Sequence, residues 1–126
     1  MYKEITLNSA EGTPISVPFM ANAATAYRFK ALFNKDLLLT FQSAKQGDLY
    51  NVEFIEQLAF LMAMQAKAKN DEIDLTKINE ESMVLWLERF DGMELLNHAG
   101  DIMDVYLGNT RFSSKEKKRA IKQTEN

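Results

Sequence analysis

The chain has 126 residues, 46% of them apolar and 26% charged, the make-up of one ordinary globular domain. It has no cysteine, so disulfides and thiolate metal sites are excluded, and it has no run of about 18 apolar residues of the kind that crosses a bilayer. The net charge of −3 is uneven: residues 1–110 carry nine basic and sixteen acidic side chains, a balance of −7, whereas residues 111–126 carry six and two, a balance of +4.

Ten of the acids fall between Asp71 and Asp104, against only Lys77 and Arg89. Such a body repels nucleic acid and favours basic partners. The first residues, "MYKEITLNSAEG", lack the basic start and apolar run of a signal peptide. A cytoplasmic protein is expected.

In chain order, "KEITL" and "TPISV" are alternating, β-branched runs joined by "NSAEG", and they predict a β-hairpin at about residues 3–18. Pro14 and Pro18 predict that its second strand is an edge that ends early. From Asn22 the period becomes helical. Asn22 is a candidate cap, and Ala26, Phe29 and Phe33 follow on adjoining turns. "FNKD" predicts a break, with Asn34 suited to a left-handed position and Asp36 to the first turn of the next helix. Leu37, Leu38 and Phe41 give that helix its apolar side, and Gly47 is its expected stop.

The strongest helix runs from about Asn51 to Lys69. Ile55, Leu58, Ala59, Met62 and Ala66 form one face. Phe60 and Met64 sit on the opposite side, one turn apart. Two readings fit. The helix is central and packed on both sides, or Phe60 and Met64 contact another subunit or a client, a role that suits methionine's flexible, polarizable side chain.

Asn79 predicts a further cap, with Glu80 and Glu81 in the first turn and Ile78 and Met83 at staple spacing. This helix should carry Met83, Trp86, Leu87 and Phe90 and break at Gly92. The last helix spans about Met93 to Leu107, with Leu95, Ala99, Ile102 and Tyr106 inward and Glu94, Asp101 and Asp104 towards water. Gly108 and Asn109 form its expected stop. The fold class is mainly α: an N-terminal hairpin and about five helices in one domain, residues 1–110, followed by a flexible basic tail, residues 111–126, with too few apolar residues to fold alone.

Candidate chemistry is sparse. The only histidine is His98, with Glu94 four residues before it and Asp101 three after it, so all three share one helical side. There is no second histidine, nucleophile elbow or phosphate loop. No catalytic, cofactor or metal site is expected, and the trio reads as a solvated acidic face. The basic tail lacks interleaved aromatics for stacking bases. A small adaptor or regulatory module with a nucleic-acid-binding tail is the alternative reading.

The blocks "AYRFKALFNKDLLLTF", "FIEQLAFLMAMQAKA", "LWLERFDG" and "IMDVYLGNTRFSSKEKK", spread over about residues 22–118, resemble the short tail assembly chaperones of long-tailed bacteriophages and prophages of Gram-positive bacteria. The resemblance implies a small, mostly helical, non-enzymatic protein. It would bind the tape measure protein, keep it soluble until tail tube subunits polymerise around it, and be absent from the mature virion. It implies self-association into spiral oligomers, no membrane, no nucleic acid and no cofactor. It also implies a longer form made by ribosomal frameshifting, whose added domain recruits tail tube protein. Residues 111–126, with Lys117 and Lys118, would then be the linker of that long form.

Overall fold

The computed structural model describes residues 1–46 and 49–110. Strands β1 (Tyr2–Asn8) and β2 (Pro14–Met20) form the expected hairpin, in register Ile5 with Val17. The Ser9 carbonyl accepts from the Gly12 N–H, and the Ser9 N–H donates to the Thr13 carbonyl, both at 2.8 Å. With Gly12 at φ 85° this is a turn closed by a glycine bulge. At the open end, Met1 and Ala21 exchange both backbone hydrogen bonds.

The odd-numbered residues of the two strands are therefore the hydrogen-bonded pairs. Pro14 and Pro18, at even positions, sit where a backbone N–H would point away from β1. They remove no ladder bond, so β2 does not end early but continues to Met20. Ile5, Leu7, Val17 and Phe19 turn inward, and their partners in alternation are exposed or half-buried.

Helix α1 (Thr25–Phe33) starts three residues after Asn22. The Asn22 Oδ1 accepts from the Ala24 N–H, and the Thr25 hydroxyl accepts from the Asn22 N–H, both at 2.9 Å, which makes a turn before the helix instead of a cap on it. Asn34 ends α1 in the left-handed conformation, φ 57°. The Asp36 carboxylate accepts from the Leu39 N–H at 2.9 Å and starts α2 (Leu37–Ala44). The expected stop at Gly47 lies outside the described residues. A second, two-residue antiparallel pair follows, β3 (Lys45–Gln46) with β4 (Leu49–Tyr50).

Helix α3 (Val52–Lys69) is capped by Asn51, whose Oδ1 accepts from the Phe54 N–H at 3.2 Å. It is the centre of the fold. The hairpin, α1, α2 and the later helices all contact it. Every residue from Phe54 to Ala66 is buried except the half-buried Glu56, as expected for a helix that is apolar on all sides.

A 3₁₀ turn (Leu75–Lys77) follows, capped by Asp74. Helix α4 (Glu80–Leu87) begins with a capping box in which Asn79 and Ser82 each accept the other's backbone N–H. It stops at Leu87, earlier than expected, and Phe90 instead bridges to Ser9 at the end of β1. The last helical region is divided at His98 into α5 (Glu94–Asn97) and α6 (Ala99–Thr110). Gly108 and Asn109 do not stop α6, which continues to Thr110. A Cβ at Gly108 would lie 2.6 Å from the Met1 Cε, so this glycine leaves room for the side chain of the chain's first residue.

Two aromatic groups fill the ends of the core. Phe54 meets Phe29 and Phe41 at 6.1 and 6.2 Å between ring centroids. Trp86 meets Phe90 at 4.8 Å, Phe60 at 5.9 Å and Phe19 at 6.5 Å. Full burial of such side chains contributes about 1.5–3 kcal/mol each.

Candidate functional site

Phe60 is 0% exposed and Met64 6%. Phe60 packs on Trp86 of α4, and strand β2 of the hairpin lies against α3, because an isolated two-stranded hairpin must bury its inner face on something. The central-helix reading matches this placement. Neither side chain is on the surface as a contact for a client or a second subunit, so such a contact must be sought elsewhere.

Glu94, His98 and Asp101 do come together. His98 Nε2 lies 3.1 Å from a Glu94 carboxylate oxygen, and its Nδ1 lies 3.4 Å from Asp101. Glu94 does not face water as the helical period predicts. It is buried, and the same oxygen accepts the Asn8 N–H at 2.7 Å. The carboxylate thus ties α5 to the end of β1. The two carboxylates sit on opposite ring nitrogens and do not converge on one point. Among the described residues no group of three such side chains is arranged to hold a metal ion. None of the three lines a described cavity.

The exposed apolar residues are more informative. On α4, Val84 is 49% and Leu85 61% exposed, with Glu80, Glu81 and Glu88 exposed within one turn. One turn after Val84, Leu87 enters a cleft of about 140 Å³ that it shares with Val52, Leu96 and Glu56. Gly92 also lines this cleft, and Met93 next to it in the chain is 55% exposed. Exposed apolar residues on α4 thus lie one turn from an apolar cleft at the start of α3, with exposed carboxylates nearby. Glu56 is held above the ordinary carboxylate range, first by partial burial and then by the charge of Glu53. Its ionised form is short of solvation, and a cation brought into the cleft would relieve it.

Nine of the ten acids between Asp71 and Asp104 are exposed, with Glu94 the exception. The sequence places Val84 and Leu85 in the broad apolar row of α4 but does not reveal that they face outward. The signal available is their position beside Glu80, Glu81 and Glu88 on a helix only eight residues long.

Among the described residues no helix is long and apolar enough to cross a membrane. Comparison with protein-family models, curated proteins and solved structures finds no match. The functional reading rests on this chain's own residues.

Proposed function

We propose that this chain is the short form of a phage or prophage tail assembly chaperone, a non-enzymatic protein that binds the tape measure protein and keeps it soluble. The observation that carries the reading is the exposed Val84–Leu85 pair and the adjoining Val52–Leu87–Leu96 cleft, set in an acidic surface. The sequence blocks that resemble this family are its second support.

The mechanism follows from the surface. A long helical client with apolar stretches aggregates because those stretches find each other. The strip on α4 covers one such stretch. The surrounding carboxylates keep the coated client charged and favour its basic residues, and Glu56 gives a cation a reason to enter the cleft. One weak site suffices when many copies act along a single client. In this reading copies associate in a spiral, a frameshifted long form recruits tail tube protein, and the protein acts in the host cytoplasm and leaves before the virion is complete.

The test is co-expression with the tape measure polypeptide of the same phage or prophage. The soluble, co-purifying fraction of the client is scored with the wild type and with Val84→Ser/Leu85→Ser. Solubilisation by the wild type and its loss in the folded variant support the reading. A client that precipitates equally with and without this chain overturns it.

A further inference from the structure

The cleft of about 140 Å³ at the start of α3 combines apolar walls with two carboxylates. Val52 and Glu56 of α3, Leu87 of α4, Phe90 and Asp91 after it, and Leu96 of α5 line it. No basic side chain is among its described lining residues. Asp91 is exposed and Glu56 half-buried, and among the described residues neither belongs to an ion pair. Arg89, the cation closest to Asp91 in the chain, lies over the Phe90 ring, 5.7 Å from its centroid. Partial burial, and then the charge of Glu53, already disfavour the ionised Glu56. A cation placed beside it gains more than one on the open surface.

The chain carries a complement to this lining. Residues 111–126 follow Thr110, the last described residue, and hold six basic and two acidic side chains. Ile121 is their one branched aliphatic residue, with Lys118 and Arg119 shortly before it and Lys122 directly after it. An aliphatic side chain flanked by cations matches an apolar cleft flanked by carboxylates. An apolar cavity of about 150 Å³ admits a molecule the size of benzene, so this cleft has room for one such side chain.

The tail is long enough to return to the cleft. Helix α6 begins three residues after Leu96 and rises about 18 Å over its 12 residues. Thr110 therefore lies within about 30 Å of the cleft. The stretch from Arg111 to Ile121 spans up to about 36 Å when extended. A tether of this kind gives an effective concentration in the millimolar range, so a contact with a Kd of about 1 mM is half-formed within one chain. The same contact between separate chains at micromolar concentration is negligible.

We propose that the tail of this chain docks in its own cleft, with Ile121 between Val52, Leu87 and Leu96 and with Arg119 and Lys122 against the carboxylates of Glu56 and Asp91. On the tail-assembly reading the cleft is part of the client surface, so a client has to displace the tail. The contact itself does not rest on that reading. It is tested without a client, and its failure leaves that reading standing.

The chain has no cysteine, so Gln123→Cys gives a nitroxide label one attachment point, two residues after Ile121. Amide-resolved NMR spectra of the full labelled chain are compared with the label oxidised and reduced. The expected broadening clusters at residues 52–56 and 87–96 and is unchanged on dilution. Adding Ile121→Ser should weaken docking by about tenfold or more, because it removes the buried aliphatic group. Glu56→Gln removes one partly screened ion pair and should weaken it by about two- to fivefold. Both effects are read as lost broadening, and unchanged amide shifts outside the cleft show that the variants are folded. No broadening in the folded domain, broadening spread evenly over the acidic surface, or broadening that survives Ile121→Ser would overturn the proposal. So would broadening of an isotope-enriched, unlabelled chain mixed with a labelled, unenriched one, because the tail would then occupy the cleft of a second copy.

Discussion

Phe60→Ala separates a core residue from a contact residue. The phenyl ring is fully buried, and its centroid lies 5.9 Å from that of Trp86. Removing it deletes the transfer energy of the ring and leaves a cavity whose lining, Trp86 among it, is fixed by other contacts. Substitutions of this kind cost about 3–5 kcal/mol. A domain of this size has only about 5–15 kcal/mol in total, so the loss is a large share of its stability. The melting temperature should fall by more than about 10 °C. Trp86 is the only tryptophan, so urea unfolding followed by its fluorescence reports on this contact directly, with far-ultraviolet circular dichroism as the second probe. The paired control is Val84→Ser/Leu85→Ser, whose side chains are exposed and whose stability should change by no more than about 0.5 kcal/mol at each site. A Phe60→Ala protein that loses less than about 1 kcal/mol, shows unchanged tryptophan emission and no longer solubilises the tape measure polypeptide proposed as its client would refute the reasoning. Phe60 would then be a contact and not a core residue.

Glu94→Ala should cost about 1–3 kcal/mol in urea unfolding, because it strands the Asn8 N–H beside a buried site. His98→Ala should cost less, and the opposite ranking would show that the histidine, not the carboxylate, anchors the hairpin. Burial first, and the charge of Asp36 second, hold the Tyr106 phenol above its ordinary value. The folded state therefore keeps this proton when the unfolded chain has lost it, so stability declines as pH rises past about 10, and Tyr106→Phe should flatten that decline. Glu56 is raised in the same way, so its ionisation disfavours the fold above about pH 4.5. Glu56→Gln should stabilise the protein at neutral pH, with the gain disappearing in acid, as read by melting temperature across pH. Gly100→Ala should stabilise α6 by up to about 1 kcal/mol, since a Cβ there meets nothing within 4 Å. A loss of stability would mean that the glycine is required by its backbone.

The elements that were legible in the sequence are those decided locally. Asn79 and Asn34 act where the pattern puts them, and Asp36 caps α2 from just before its expected place in the first turn, because a cap or a left-handed stop is a contact between a side chain and a backbone a few residues away. Asn22 fails as a cap for an equally local reason, since Thr25 competes for it and turns the chain before the helix begins. Gly108 was misleading because its constraint comes from Met1, at the other end of the chain. Glu94 was misleading for the same reason. Helical spacing sends it to water, and a backbone N–H 86 residues away brings it inside.

The candidate contact surface depends on that same distinction between local and distant. A helix with apolar groups on two sides is either sandwiched or half-open, and its own sequence is the same in both cases. On α3 the decision falls to the elements packed around it, and Phe60 and Met64 go to the core. On α4 it falls the other way. Trp86 fills the space between Phe19, Phe60 and Phe90, and Val84 and Leu85 stay about half exposed. A single large aromatic thus satisfies the inner side of a short helix and leaves two aliphatic neighbours outside. Exposed aliphatic residues are ordinary singly, but here two are adjacent, lie within one turn of Glu80, Glu81 and Glu88, and Val84 is one turn from Leu87 of the cleft that also holds Glu56. The combination makes α4, and not the more apolar α3, the place where a partner's binding energy would come from.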